Sequence, residues 1–104
     1  MIEQLELNFD KLTNKQMIVV EHKAFKGGGK VAKVYVDKDL SIKEQLEKAY
    51  MLTQNIDDGW WNSKDVEKTV NVDAVRSTSV GDRMHINGEL YLVDNVGFRK
   101  INNN

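Results

Sequence analysis

The apolar and polar positions of the first forty residues follow β-type patterns. Apolar residues recur at every second position in the later part of residues 2–9, which predicts a half-buried strand. A β-branched run opens residues 17–25, and a second run fills residues 30–36. The glycines at 27–29 lie between these runs, so the pattern predicts a β-hairpin with a glycine tip.

One helical pattern follows, over residues 41–56. Ser41 is a good N-cap, and Glu44 stands three residues later, which completes a capping box. Apolar positions then recur at helical spacing, at Ile42, Leu46, Ala49 and Tyr50. This segment predicts the one main helix of the chain.

The strongest local signal is a second hairpin in the C-terminal third. Asn87 and Gly88 stand between two apolar arms, and a type I′ turn needs a positive φ at both central residues. A two-residue loop pairs Ile86 with Glu89. The alternation then predicts a core-facing set of Met84, Ile86, Tyr91 and Val93.

Weaker strand patterns complete the fold prediction. Residues 69–72 predict a strand within 66–75, and residues 97–101 predict a last short strand. Together the elements predict an α+β fold, with a small antiparallel sheet of about four to six strands and the helix packed on one face. We expect one domain over residues 1–101 and a disordered tail at 102–104.

Composition narrows the classes of protein to consider. The 104 residues include no Cys and no Pro, which excludes disulfides and thiolate metal sites. His22 and His85 are the two histidines, so we expect no metal and no cofactor. No apolar run approaches the ~20 residues of a membrane helix, and we expect a cytoplasmic protein without membrane contact. The net charge of −1 gives no bulk attraction to nucleic acid.

Lysines gather around the glycine tip of the first hairpin, at Lys23, Lys26, Lys30 and Lys33. Glycine backbones and lysines can contact phosphate, which makes this hairpin a candidate nucleic-acid contact. The spacing does not match a Walker loop, and we interpret the pattern as a solvated tip with solubilising lysines near a sheet edge, with phosphate contact as the alternative.

Trp60 and Trp61 follow the helix, next to Asp57 and Asp58. Adjacent tryptophans point in different directions, so we expect one to close the core and the other to be exposed. Because tryptophan is enriched at interface hot spots, the four residues form the candidate partner-binding surface.

A hydroxyl-rich segment at residues 76–82 precedes the second hairpin. Nucleophilic catalysis would need a base, for which only His22 or His85 is available. We interpret the segment as structural, with hydroxyls and Asp82 bonding nearby backbone groups and Arg76 pairing with Asp82 or a helix end. The two histidines are interpreted as sheet residues.

This segment also carries a resemblance. The C-terminal third resembles the YodL-like domains of mobile-element polyvalent proteins, on the string Arg76, Ser77, Thr78, Ser79, Val80, Gly81 and Asp82, followed by Gly88, Tyr91, Val93, Asp94, Gly97 and Phe98. Residues 49–57 with Trp60 resemble a helix-then-tryptophan segment of small viral proteins. The resemblance implies an accessory gene of a virus or mobile element, and no catalytic residue is carried over from it.

Three functional hypotheses follow. The first is a non-enzymatic accessory protein that binds a host protein and inhibits or redirects it. The second is a nucleic-acid-binding β-domain that uses the lysines of the first hairpin. The third is a small hydrolase that uses His85 with Asp82 or Ser79. Homo-oligomerisation is a further expectation, because edge strands pair readily.

Overall fold

A computed structural model of the chain describes residues 14–25, 28–56 and 58–101. Its described strands are β1 (Lys15–His22), β2 (Gly29–Asp37), β3 (Val66–Lys68), β4 (Arg83–Ile86), β5 (Glu89–Val93) and β6 (Phe98–Ile101). The helix α1 spans Ile42–Leu52, and a short 3-10 helix spans Trp60–Asn62. The strand predicted at residues 2–9 and the tail predicted at 102–104 lie outside the described residues.

The strands form one antiparallel sheet in the order β3-β2-β1-β4-β5-β6. Helix α1 packs against one face, where its Leu46 and Ala49 join a core that includes Ile18, Val34 and Met84. The predicted α+β class, with two hairpins and a helix on one face, is confirmed.

Both predicted hairpins are present. The second has the predicted register, with Ile86 opposite Glu89 and Met84 opposite Tyr91. Asn87 and Gly88 have φ values of +52° and +76°, as a type I′ turn requires. Met84, Ile86 and Val93 are buried, and Tyr91 is half-buried, so the predicted core side is the observed one.

The capping box is also confirmed, but the helix ends earlier than predicted. Ser41 Oγ accepts a hydrogen bond from the Glu44 backbone N–H, and Glu44 accepts one from the Ser41 backbone N–H. The last helical residue is Leu52, not residue 56. Thr53 Oγ1 donates back to the Ala49 carbonyl at 2.9 Å, and this side-chain bond competes with continuation of the helix.

The strand predicted within residues 66–75 is present, but it is β3 (Val66–Lys68), and its predicted position at residues 69–72 is wrong. Pairing with β2 ends as β3 ends, at Lys68, and Thr69 makes the last contacts with β2. Its backbone N–H donates to the Val31 carbonyl at 2.8 Å and its hydroxyl to the Lys30 carbonyl at 2.9 Å. Beyond Thr69 no described strand continues the pairing with β2. Residues 70–72 therefore form bends, although their sequence is typical of a strand.

Candidate functional site

The segment at 76–82 folds around the carboxylate of Asp82, whose residue is 0% exposed. Arg76 binds both carboxylate oxygens, with Nη1 at 2.7 Å from Oδ2 and Nη2 at 2.8 Å from Oδ1. Three backbone N–H groups also donate to it, those of Lys23 at 2.8 Å, Ala24 at 2.9 Å and Ser79 at 2.8 Å. The carboxylate therefore joins the end of β1 to the turn before β4.

These contacts determine the ionisation of Asp82. Burial alone would raise the pKa of this carboxyl group, because a low-dielectric interior disfavours the charge. The Arg76 guanidinium and the backbone donors of Ala24, Ser79 and Lys23 outweigh burial and lower the pKa from 3.8 to about 2. Because a carboxylate has about four lone-pair positions, Asp82 has no free acceptor with which to serve as a base.

His22 lies beside this carboxylate. Its Nε2 is 3.0 Å from Thr78 Oγ1 and 3.9 Å from Asp82 Oδ2. Burial lowers the pKa of His22; the Asp82 charge opposes that shift, and the Arg76 charge adds to it. His22 is thus a buried imidazole that favours the neutral form.

The same segment holds the end of the helix. The Thr78 backbone N–H donates to the Thr53 carbonyl at 3.0 Å, and Gln54 Nε2 donates to the Thr78 carbonyl at 3.0 Å. Ser77 Oγ accepts from the Asn55 backbone N–H at 2.8 Å. The residues of the 76–82 segment therefore connect three elements by hydrogen bonds: β1, β4 and the C-terminal end of α1.

The structure does not bring the predicted hydrolase pair together by hydrogen bonding. His85 Nε2 contacts Glu21 Oε1 at 2.8 Å, whereas the histidine beside Asp82 is His22. Side chains alternate along a strand, so His85 on β4 faces away from the helix together with Glu21 on β1. His85 and Asp82 are therefore not hydrogen-bonded to each other, and the hydrolase hypothesis stays a prediction.

The tryptophan pair divides between core and surface. Trp60 is 3% exposed, and its Nε1 donates to the Arg76 carbonyl at 3.0 Å. Trp61 is half-buried, its ring packs edge-on against Trp60 at 5.6 Å, and the Lys68 ammonium lies 5.6 Å from the ring centroid. Asp58 is exposed, and Asp57 lies outside the described residues. Of the two rings, Trp61 is the one that reaches the surface.

The predicted lysine cluster is spread along the hairpin. Lys23 and Lys30 are exposed, Lys33 is half-buried further along β2, and Lys26 lies outside the described residues. Lys30 lies opposite Glu21, and Lys33 lies opposite Val19 and Glu67. Of the three described lysines of this cluster, Lys23 is the one that lines a cleft, together with Phe25 and Arg83.

Gly97 and Phe98, the last residues of the string that resembles YodL-like domains, border an apolar groove between α1 and the β5–β6 turn. The groove has a volume of about 700 Å³. Gly97 has a φ of +81° and turns the chain into β6, so that Phe98 packs edge-on against Tyr50 at 6.3 Å. We call this feature the helix groove; its apolar lining consists of Leu40, Tyr50, Met51, Val80, Val93 and Phe98.

Sequence reasoning missed the helix groove and its exposed side chains. Met51 is 53% exposed and Val80 is 47% exposed at the groove, and Val96 in the adjoining turn is 94% exposed. The sequence places Met51 in the predicted helix, but it does not show that β6 lies beside the helix, where Phe98 packs against Tyr50. In the described part of the chain no three His, Asp or Glu side chains gather as metal ligands, and no helix there is long and apolar enough to span a membrane.

Comparison with protein-family models, with curated proteins and with solved structures gives no match. The resemblance to YodL-like domains therefore stays a prediction.

Proposed function

We propose that the chain is a non-enzymatic accessory protein of a virus or mobile element, which binds a host protein in the cytoplasm and inhibits or redirects it. The observation that carries this proposal is the helix groove. Exposed Met51 and Val80 lie in a concave surface of about 700 Å³, within the size range of binding sites. Large exposed apolar patches are uncommon on monomers and mark contact surfaces.

The sheet edge beside the groove supports an extended segment as the form of the proposed partner. Strand β6 is the last strand of the sheet, with a described neighbour on one side only. Its first residue, Phe98, lines the groove. An extended segment of a partner protein can pair with this edge and place alternate apolar side chains into the groove, a known mode of peptide recognition.

The polar cluster around Asp82 supports binding over catalysis. The Asp82 carboxylate is saturated by Arg76 and backbone donors, and His22 is occupied by Thr78. These groups hold the segment that places Val80 at the groove. We therefore assign the motif residues Arg76, Asp82 and Gly97 a supporting role and the groove the contact role.

The test compares two matched surface variants. Met51→Glu places a charge in the groove, and Ile56→Glu places the same charge at a residue that is 75% exposed and is not among the groove-lining residues. Each protein is immobilised and incubated with bacterial and archaeal lysates. Captured proteins are then purified, and their affinity for each variant is measured in a binary binding assay. We expect one partner to bind the unmodified chain and Ile56→Glu, with at least tenfold weaker binding to Met51→Glu.

Three outcomes would contradict the proposal. The first is the absence of any specific partner across several hosts. The second is a partner that binds Met51→Glu and Ile56→Glu equally. The third is a concentration-dependent dimer in sedimentation that Met51→Glu abolishes, because the groove would then be covered by a second copy of this chain.

A further inference from the structure

A second concave surface opens where β1 ends and β2 begins, with a volume of about 470 Å³. We call it the hairpin cleft. Its lining combines two cationic side chains, Lys23 and Arg83, with the aromatic ring of Phe25 and the glycines Gly28 and Gly29. The cleft is separate from the helix groove, although Gly81 lines the cleft and the preceding Val80 lines the groove.

The cations of the cleft are poorly compensated. Arg83 Nε is buried and has no hydrogen-bond partner among the described residues, and no described carboxylate forms an ion pair with Arg83. Lys23 Nζ lies 3.9 Å from Glu21 Oε2, while Glu21 also binds His85 at 2.8 Å. Glu21 is thus shared between Lys23 and His85, and the lining of the cleft holds two cationic side chains, no carboxylate and one unsatisfied buried donor.

Two glycines, Gly28 and Gly29, lie beside these cations, so no side chain covers the backbone there. A Cβ at Gly28 would lie 1.7 Å from the His22 carbonyl oxygen, so only glycine fits where the chain passes β1. Gly29 follows with a φ of +139°. A ligand oxygen can therefore approach the main chain here without displacing a side chain, as phosphates do at glycine-rich loops.

Phe25 adds an aromatic surface to the cleft. The residue is 61% exposed, and the Arg76 guanidinium lies 4.7 Å from its ring centroid. Asp82 binds the Arg76 guanidinium and thereby fixes its position next to the Phe25 ring. An aromatic ring with open surface next to uncompensated cations is the combination that binds a base and its phosphate together.

We infer that the hairpin cleft binds a nucleotide, with its phosphate at Lys23 and Arg83 and its base stacked on Phe25. This inference goes beyond the proposed contact at the helix groove and does not depend on it. The phosphate and base belong either to a free mononucleotide or to a single strand of nucleic acid, and the experiment distinguishes these two sources.

The test titrates the full chain at low ionic strength with AMP, with inorganic phosphate and with fluorescent single-stranded DNA and RNA oligonucleotides. We expect Lys23→Gln and Arg83→Gln each to weaken binding of all phosphate ligands about tenfold. Lys38→Gln is the matched control, because Lys38 is exposed just beyond the opposite end of β2. Phe25→Leu should weaken AMP or the oligonucleotide roughly five- to a hundredfold and leave inorganic phosphate unchanged.

The two sources give different results, and both support the inference. Tighter binding of the oligonucleotides, with a steep loss on adding salt, assigns the site to a single strand, whereas equal affinities assign it to a mononucleotide. Absence of binding by all four probes would overturn the inference. Binding that Lys23→Gln, Phe25→Leu and Lys38→Gln change equally would also overturn it; because Lys23 and Phe25 are exposed, these variants test the site even if Arg83→Gln fails to fold.

Discussion

The guanidinium of Arg76 binds both oxygens of the Asp82 carboxylate, at 2.7 and 2.8 Å, and the Asp82 side chain is fully buried. Bidentate pairs of this kind are short, strong and geometrically specific. Two neighbouring residues of the segment that this pair holds line the two candidate surfaces. Val80 lines the helix groove, and Gly81 lines the hairpin cleft. The pair is thus the structural centre of both candidate surfaces.

Removing the Asp82 charge should strongly destabilise the fold. Asp82→Asn breaks the pair with Arg76 and leaves backbone N–H groups facing an amide, so we expect a loss of about 3–5 kcal/mol in the free energy of unfolding. The matched control is Asp94→Asn, because Asp94 forms an exposed pair with Arg99 at 3.4 Å and should cost only about 0–1 kcal/mol. Urea denaturation measures both; equal losses would contradict the structural role of Asp82.

Acid should destabilise the protein first through His22. The folded pKa of His22 is lowered by burial, so below about pH 6.5 the unfolded chain takes up a proton that the folded chain does not. Stability is then lost as pH falls through this range. The Asp82 contribution is lost only at lower pH, between its ordinary pKa of 3.8 and about 2.

Unfolding free energies between pH 7.5 and 5 test the His22 effect. His22→Gln keeps a polar side chain at this site but removes the titrating ring. We expect a flatter pH profile for His22→Gln than for the unmodified protein. Identical slopes for the two proteins would show that another group controls the acid response.

The two tryptophans should differ in fluorescence. In Trp61→Phe the remaining emitter is Trp60, which is 3% exposed, so we expect blue-shifted emission and weak quenching by iodide. In Trp60→Phe the remaining emitter is half-buried Trp61, and the nearby Lys68 ammonium should favour iodide. Steady-state emission with iodide titration measures this; stronger quenching of Trp60 than of Trp61 would reverse the assignment of core and surface.

Local sequence signals predicted the local structure well. Asn87 and Gly88 determine a type I′ turn, and Ser41 with Glu44 determines the start of the helix, because each depends on neighbours within a few residues. The end of the helix was mispredicted, since the carbonyl of Thr53 is taken by the Thr78 backbone N–H from a distant segment.

The candidate site depended on pairing that no local pattern reveals. Strand β1 pairs with β4, and this register brings Lys23 and the Asp82 carboxylate together from 59 positions apart. The same pairing places Lys23 and Arg83 in one cleft. The sequence indicated Arg76 and Asp82 as partners, but Phe25 and Arg83 gave no signal of their own.

The proposed contact with a host protein is tested most directly by hydrogen–deuterium exchange of the full chain, alone and bound to the partner that the unmodified chain retains. We expect slower exchange on binding in β6 (Phe98–Ile101) and in the C-terminal half of α1 (Ile42–Leu52), with β1 and β2 unchanged. Slower exchange confined to β1 and β2, with none in β6 or α1, would contradict the assignment of the helix groove as the contact surface.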